Sequence, residues 1–311
     1  MENKSLDIDE SKNNPYLLYK SGTIYAETLS GRRILLDDVE FSIEKGKSYA
    51  LIGETGSGKT MIAMSIMGLL PKNVKGENLF CSLDSVDISS PVVASSLLGR
   101  EIAYIPQNGM EFLNPSRTIY AHLKDSLLRS GTPKKEVKEK AKEILSLVGF
   151  HDIDQILKSY PFQLSGGMAQ RVTVALALSS NAKLIIADEP TNGLDLESSN
   201  KMLEHLFSLF SDAAKIIITH DISVASRCEN MLVLCGGKTM EKGPSSFLSS
   251  PCNPYAKSLV AALVKNGMKS SPYLRNMGNC PFSERCPEYS DICEESLSHY
   301  TDGEHEWWCK R

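Results

Sequence analysis

Apolar residues fall along this chain in short unbroken runs rather than long stripes. ILLDDVEFSI (34–43), KSYALIG (47–53), EIAYIP (101–106), KLIIAD (183–188) and KIIITH (215–220) are each aliphatic or β-branched over most of their length. Short continuous runs of this kind predict strands buried on both faces, as in a parallel sheet covered by helices. Helical patterns separate them: from about Thr60 to Leu70, over PKKEVKEKAKEILSLVGF (133–150), from near Ser165 through MAQRVTVALAL, and over DLESSNKMLEHLFSLF (195–210). The alternation predicts an α/β fold. The stretch from about 110 to 175 is mostly helical and interrupts the alternation, so it reads as an inserted helical subdomain. From about residue 256 the composition shifts to Ser, Asn, Pro and Cys, which suggests a separate appendage, and no internal repeat is visible. The polar, acidic start MENKSLDIDESKNNP reads as a loose tail.

Composition narrows the class of partner. The 311 residues carry a formal net charge of −4, which gives no electrostatic reason to expect nucleic acid or an anionic membrane surface. The longest apolar run, near MIAMSIMGLL (61–70), is about ten residues, whereas crossing a bilayer takes roughly 20. The first residues also lack the basic-then-apolar order of a signal peptide. A cytosolic chain docked on something membrane-bound is expected. Of eight cysteines, Cys81, Cys228, Cys235 and Cys252 are scattered and read as ordinary thiols; Cys280, Cys286, Cys293 and Cys309 crowd into the last 32 residues.

Three stretches carry chemistry. GETGSGKT (53–60) matches G-x-x-x-x-G-K-[ST] after the strand YALI and before a helix. Gly53, Gly56 and Gly58 permit a tight backbone that turns N–H groups, including those of Glu54, Thr55 and Ser57, toward a phosphate chain. Lys59 can then reach the β- and γ-phosphates and the Thr60 hydroxyl can ligate Mg²⁺. In LIIADEP (184–190) an apolar strand ends at Asp188, suited to the metal or a water on it, and Glu189 follows as candidate base or water-positioning group. His220 ends the next apolar strand, at the same sheet edge if the two strands pair in parallel, where a neutral imidazole can meet the γ-phosphate. Gln107 follows IAYIP, and its side-chain carbonyl can reach Mg²⁺ or the attacking water. LSGGMAQR (164–171) places two adjacent glycines, Gly166 and Gly167, just after a capping serine, Ser165, at the start of a helix.

These pieces in this order resemble the ATP-binding subunit of an ABC transporter, over about residues 21–265. GETGSGKT is similar to that family's Walker A, LIIADE to its Walker B and LSGGMAQR to its signature motif, with Met168 where many members have Gln. Gln107 matches the Q-loop residue, Asn192–Asp195 the D-loop region and His220 the switch histidine. The resemblance implies a P-loop NTPase core with a parallel sheet, an antiparallel β subdomain, an inserted helical signature subdomain and a cysteine-containing C-terminal appendage. It divides the chain into a tail (1–20), the ATPase domain (21–255) and an extension (256–311). It also implies a head-to-tail dimer in which Ser165, Gly166 and Gly167 face the γ-phosphate held by the partner cassette, so that ATP itself joins the interface. Two departures stand out. The family stacks an aromatic ring on adenine where this chain has Ala26, with Tyr25 beside it as the available choice, and the D-loop reads NGLD.

Within the family, LSGGMAQR, IPQNGMEFLNP (105–115), NPYAKSLVAALV (253–264) and CPFSERCP resemble the oligopeptide/dipeptide/nickel-type importers. That implies a second ABC ATPase subunit, two membrane-spanning permease subunits, an extracytoplasmic solute-binding protein, and a peripheral position on the cytoplasmic face of the membrane. The groove near Gln107–Pro115 would receive the permeases' cytoplasmic helices. Peptides are the first choice of cargo and nickel or a metal chelate the second; a soluble ABC ATPase outside transport is a distant alternative. The tail cysteines leave three readings open. Spacings of five, six and fifteen residues fit neither paired zinc ligands nor ferredoxin patterns, inert thiols explain them too, and the resemblance favours a [4Fe–4S] cluster.

Overall fold

The structure is a computed structural model and describes residues 15–193, 196–262, 280–290, 293 and 297–309. Residues 1–14 of the expected tail (1–20), Leu194 and Asp195 of the D-loop, and residues 263–264 of the NPYAKSLVAALV stretch lie outside the described residues, while Leu17–Lys20 of that expected tail form a strand with Leu17 and Tyr19 buried. In chain order the first half runs β1 (Leu17–Lys20), β2 (Thr23–Thr28), β3 (Gly31–Asp37), β4 (Glu40–Ile43), β5 (Ser48–Ile52), α1 (Lys59–Ile66), β6 (Val74–Glu77), β7 (Phe80–Leu83), β8 (Val86–Asp87), α2 (Pro91–Leu97) and β9 (Ile102–Ile105). Five helices follow: α3 (Gly109–Phe112), α4 (Ile119–Arg129), α5 (Val137–Leu147), α6 (Ile153–Lys158) and α7 (Gly166–Ser179). The chain then returns to alternation with β10 (Leu184–Asp188), α8 (Leu196–Leu209), β11 (Ala214–Thr219), α9 (Ile222–Ala225), β12 (Asn230–Cys235), β13 (Lys238–Pro244), α10 (Pro254–Ala261), β14 (Ser298–Asp302) and β15 (His305–Cys309).

The main sheet has the order β14-β15-β13-β12-β5-β11-β10-β9. Its five strands β12, β5, β11, β10 and β9 are parallel, and β13, β15 and β14 add antiparallel at one edge. Alternate residues of the parallel strands feed two separate cores. Ile52, Ile105, Ile185, Ala187 and Ile217 pack toward the helical layer, while Leu51, Ile186, Ile216, Ile218 and Leu234 pack toward α1 and the β subdomain. Two-sided burial is why these strands read as solid apolar runs. The antiparallel subdomain is two small sheets, β4-β1-β7-β8 and β3-β2-β6.

Some boundaries differ from the pattern. The run 34–43 is two strands in different sheets, broken where Asp38 takes φ 52° and donates its N–H to the Gly22 carbonyl. The first helix ends at Ile66, because Gly68 turns left-handed at φ 68°. The C-terminal hairpin β14–β15, inside the compositionally distinct appendage, is hydrogen bonded to the core sheet through Glu241↔Trp307 and Lys242↔Glu306. Fully buried Glu241 anchors that junction: its carboxylate accepts from the backbone N–H groups of Cys252 and Asn253 and from His305 Nε2 at 2.7 Å.

Candidate functional site

Parallel pairing puts the ends of β5, β11, β10 and β9 along one edge, and the glycine loop, His220, the Asp188–Glu189 pair and Gln107 lie where these strands leave the sheet. Asp188 lies opposite Ile218, two residues before His220, and Ala187 lies opposite Ile105, two residues before Gln107. The condition set for His220 by the sequence is therefore met.

The loop between β5 and α1 is built on glycine. Gly56 and Gly58 take φ 82° and 109°, which L side chains rarely adopt. A side chain at Gly53 would collide with the backbone of Leu234. Lys59 begins α1 and turns its ammonium back into the loop, onto the carbonyls of Gly53 (2.7 Å) and Glu54 (2.9 Å). Burial lowers its pKa, and the nearby carboxylates of Glu189, Asp188 and Glu54 oppose that shift. A partly desolvated cation on a helix N-terminus is a strong seat for phosphate.

Asp188 is buried beside it. Its Oδ2 accepts from Thr60 Oγ1 at 3.4 Å and from Tyr104 OH at 3.2 Å. Burial raises the Asp188 pKa, which the two hydroxyl donors only partly offset. A buried carboxylate whose nearest side-chain partners are hydroxyls, not cations, fits a hard divalent ion such as Mg²⁺, which takes oxygen ligands. Tyr104 is a residue that sequence reasoning missed. Its place in β9, paired with Ile186, fixes only its strand neighbours, and the partner of its hydroxyl depends on the pairing register.

Glu189 leaves β10 at φ 47°, strained for a residue that is not glycine. Its N–H still bonds to the Ile218 carbonyl, so the turn happens at the side chain's own root. The carboxylate is thereby swung onto the end of β11, where Thr219 Oγ1 (3.2 Å), His220 N (3.0 Å) and His220 Nδ1 (2.7 Å) reach it. A proton on Nδ1 makes that last contact a hydrogen bond and leaves Nε2 as the free acceptor of the exposed ring. Thr219 was not singled out from the sequence.

The signature segment begins a separate helix, α7. Ser165 caps α7, its Oγ accepting from Met168 N at 3.3 Å. Ser165 and Gly166 are exposed, and no heavy atom beyond the adjoining residues and backbone of α7 itself lies within 4 Å of a Cβ placed at Gly166 or Gly167. Gln107 is exposed and faces the same groove as Gly166, Gly167, Pro190, Asn192 and Gly193, between the helical subdomain and the sheet. Asp188, the carboxylate expected to share an ion with Gln107, accepts from Thr60 and Tyr104. Tyr25 is buried in β2 with the Arg32 guanidinium 4.4 Å from its ring centroid.

In the tail, Cys293 is buried and Cys280, Cys286 and Cys309 are half-buried. Burial pushes the Cys280 and Cys286 thiols up, the latter to about 11, and neighbouring tail thiols add to both shifts. The four therefore lie near one another. They are not drawn as tightly as one tetrahedral zinc would hold them, with sulfurs about 3.8 Å apart for Zn–S of about 2.3 Å. Among the described residues only Glu241, Cys252 and His305 bring three ligand atoms within 4.8 Å.

Comparison with known proteins agrees with this geometry. The ABC transporter family model matches residues 36–192. The chain is 35% identical over 278 residues to the oligopeptide transport ATP-binding protein AppD of Bacillus subtilis, covering 83% of this chain and 84% of that one. It is 35% identical over 297 residues to the dipeptide transport ATP-binding protein DppD of the same organism, with coverage of 89% and 87%. Among solved structures, the ATP-binding cassette MJ0796, a dimer in a post-hydrolysis state bound to ADP and Pi, superposes with a TM-score of 0.66 at 24% identity. That match covers 74% of this chain and 98% of the other. No helix among the described residues is long and apolar enough to cross a membrane. The chain belongs to the ABC transporter family and is one of its ATPases.

Proposed function

We propose that this chain is the ATP-hydrolysing subunit of a peptide importer, closing head to tail with a second cassette around two ATP. The observation that carries the dimer is the bare N-terminus of α7: a capped, exposed helix start with two glycines that no neighbouring atom covers. Such an end binds anions, and the chain's own phosphate loop sits on a different element. Relatives that transport oligopeptides and dipeptides support the cargo.

Within that site the backbone N–H groups of residues 53–60 and the Lys59 ammonium hold the triphosphate, once Lys59 exchanges its carbonyl partners for phosphate oxygens. Thr60 and Asp188, with Gln107 closing from the groove, would hold Mg²⁺, which withdraws charge from the phosphate oxygens when bound. Glu189 orients the attacking water and accepts its proton; Thr219 and His220 hold that carboxylate in place. His220 Nε2 reads the γ-phosphate. The partners are a second ATPase subunit, two membrane-spanning subunits and an extracytoplasmic binding protein, which puts the chain on the cytoplasmic face of the membrane. Phe112, exposed at the end of α3 beside the groove, is the apolar contact offered to a permease helix. The four tail cysteines, all-sulfur and wider apart than one ion allows, would hold a [4Fe–4S] cluster with a structural role; iron and acid-labile sulfide absent from anaerobically purified protein would exclude it.

The cargo is tested on the complex captured from native membranes with this chain as bait, with the binding protein added. ATPase stimulation by short peptides and not by nickel or its chelates is the expected result. Stimulation by nickel species alone would replace the peptide reading with the metal one, and capture without membrane subunits would remove the importer reading altogether.

A further inference from the structure

The segment bearing the tail cysteines lies against the phosphate loop. Arg285, between Cys280 and Cys286, donates Nη1 to Glu54 Oε1 at 2.6 Å and Nη2 to Glu54 Oε2 at 2.8 Å. Glu54 is the second residue of GETGSGKT, 231 positions away. The pair is bidentate, the geometry in which guanidinium and carboxylate bind best. Tyr255, buried in α10, accepts the Glu54 N–H at 3.1 Å and packs edge-on against Phe282 at 5.1 Å. The Arg285 guanidinium lies 5.3 Å from the same Phe282 ring. Pro281 abuts Gly236, where an added Cβ would come within 2.6 Å of it, and the next residue, Gly237, donates its N–H to the Ser57 carbonyl at 2.9 Å. The outer arm of the loop is thus gripped from three separate parts of the chain.

A loop that binds a triphosphate through N–H groups and one ammonium gains nothing from a carboxylate in its second position. Left unpaired, Glu54 would repel the phosphates and offer Lys59 a competing partner. Arg285 is only 14% exposed while Glu54 is 45% exposed, so the cation is the anchored member and the carboxylate is drawn to it. We propose that Arg285 is a positioning residue for ATP: it neutralises Glu54, holds that carboxylate away from the phosphate seat, and makes the cysteine-bearing segment a working part of the nucleotide site. The inference rests on ATP binding alone and not on the cargo or the tail's metal.

The test uses the full-length chain, with fluorescent Mg·ATP titration, ATPase kinetics and thermal unfolding run together. Arg285→Ala should weaken Mg·ATP binding by about three- to ten-fold at low salt, the range expected for one partly screened charge. The loss should appear in KM, with kcat within about two-fold, since Lys59, Asp188 and Glu189 are untouched. Adding Glu54→Gln to Arg285→Ala should restore affinity to within about two-fold of wild type, because the repelling charge is then gone. Glu54→Gln alone should bind at least as tightly as wild type, which keeps the proposal testable if Arg285→Ala fails to fold. Unchanged affinity in Arg285→Ala would overturn it. So would a double variant that folds normally yet stays as weak as the single one, and so would weaker binding in Glu54→Gln.

Discussion

Gly109→Ala adds one methyl group at the point where the helix after Gln107 rests on the signature helix. A Cβ there would lie 2.8 Å from the Ala169 carbonyl carbon, 2.9 Å from its oxygen and 2.9 Å from Gln170 N. All three are backbone atoms of α7, so no rotamer change relieves the clash. Restoring ordinary contact requires α3 and α7 to part by about half an ångström. The buried bond from Gln170 Nε2 to the Pro106 carbonyl, 3.0 Å long, spans the same seam. Stretching it to about 3.5 Å brings it to the edge of hydrogen bonding. Overpacking costs about 1–3 kcal/mol and a weakened buried bond about 1 kcal/mol more, while alanine's better helix propensity returns roughly 0.5–1 kcal/mol. The net expectation is a destabilisation of about 1–3 kcal/mol. Urea unfolding of the full chain would register it as a lower midpoint at unchanged slope. The ATPase rate should fall as well, because the Gln107 loop no longer rides on α7. A variant as stable as wild type, or more stable, would refute the claim that this seam is closed to a methyl group.

Other expectations follow from the buried carboxylate and its neighbours. Because burial raises the Asp188 pKa, the folded state holds a proton that the unfolded state releases, so Asp188 costs stability as pH rises above its unfolded value toward the raised one. Asp188→Asn should therefore unfold at a higher temperature at neutral pH while losing Mg²⁺-dependent hydrolysis; a lower unfolding temperature would contradict this. In the wild type, Mg²⁺ dependence should weaken as pH falls through that window, measured as the Mg²⁺ concentration for half-maximal rate, and a flat profile would count against Asp188 as a ligand. Tyr104→Phe removes one of the two hydroxyl donors to Asp188 and should shift the Mg²⁺ half-saturation several-fold, leaving the fold's unfolding midpoint within about 1 kcal/mol of wild type. Lys59→Ala should abolish Mg·ATP binding by calorimetry without lowering the unfolding temperature, since burial of its ammonium is only partly offset by the loop carbonyls and the nearby carboxylates.

The nucleotide edge was readable from the sequence because its motifs are local. A glycine loop between a strand and a helix, and an acidic pair ending an apolar strand, each imply their own geometry, and parallel pairing then brings their ends together. Ser165, Gly166 and Gly167 were readable for the same reason, as a cap and two bare backbone positions at a helix start. Contacts that depend on register or on distant chain segments were not. Tyr104 meets Asp188 only because Ala187 pairs with Ile105, and Arg285 reaches Glu54 only because the segment around Pro281 lies against the phosphate loop and Gly236. Tyr25 was chosen for its aromatic ring, and nothing local announced that Arg32 from the next strand would lie over it. The split of 34–43 into two strands hangs on a single left-handed residue, Asp38, which apolar patterning does not register.

In the proposed dimer the bare start of α7 completes the nucleotide site of a partner cassette. ATP occlusion in the membrane-derived complex carrying Glu189→Gln in this chain, measured as Mg·ATP retained through rapid desalting, decides whether it does. Glu189→Gln should retain ATP, and adding Ser165→Arg, which fills the exposed helix start, should abolish retention while free-cassette ATP affinity is preserved. Retention undiminished by Ser165→Arg would contradict it.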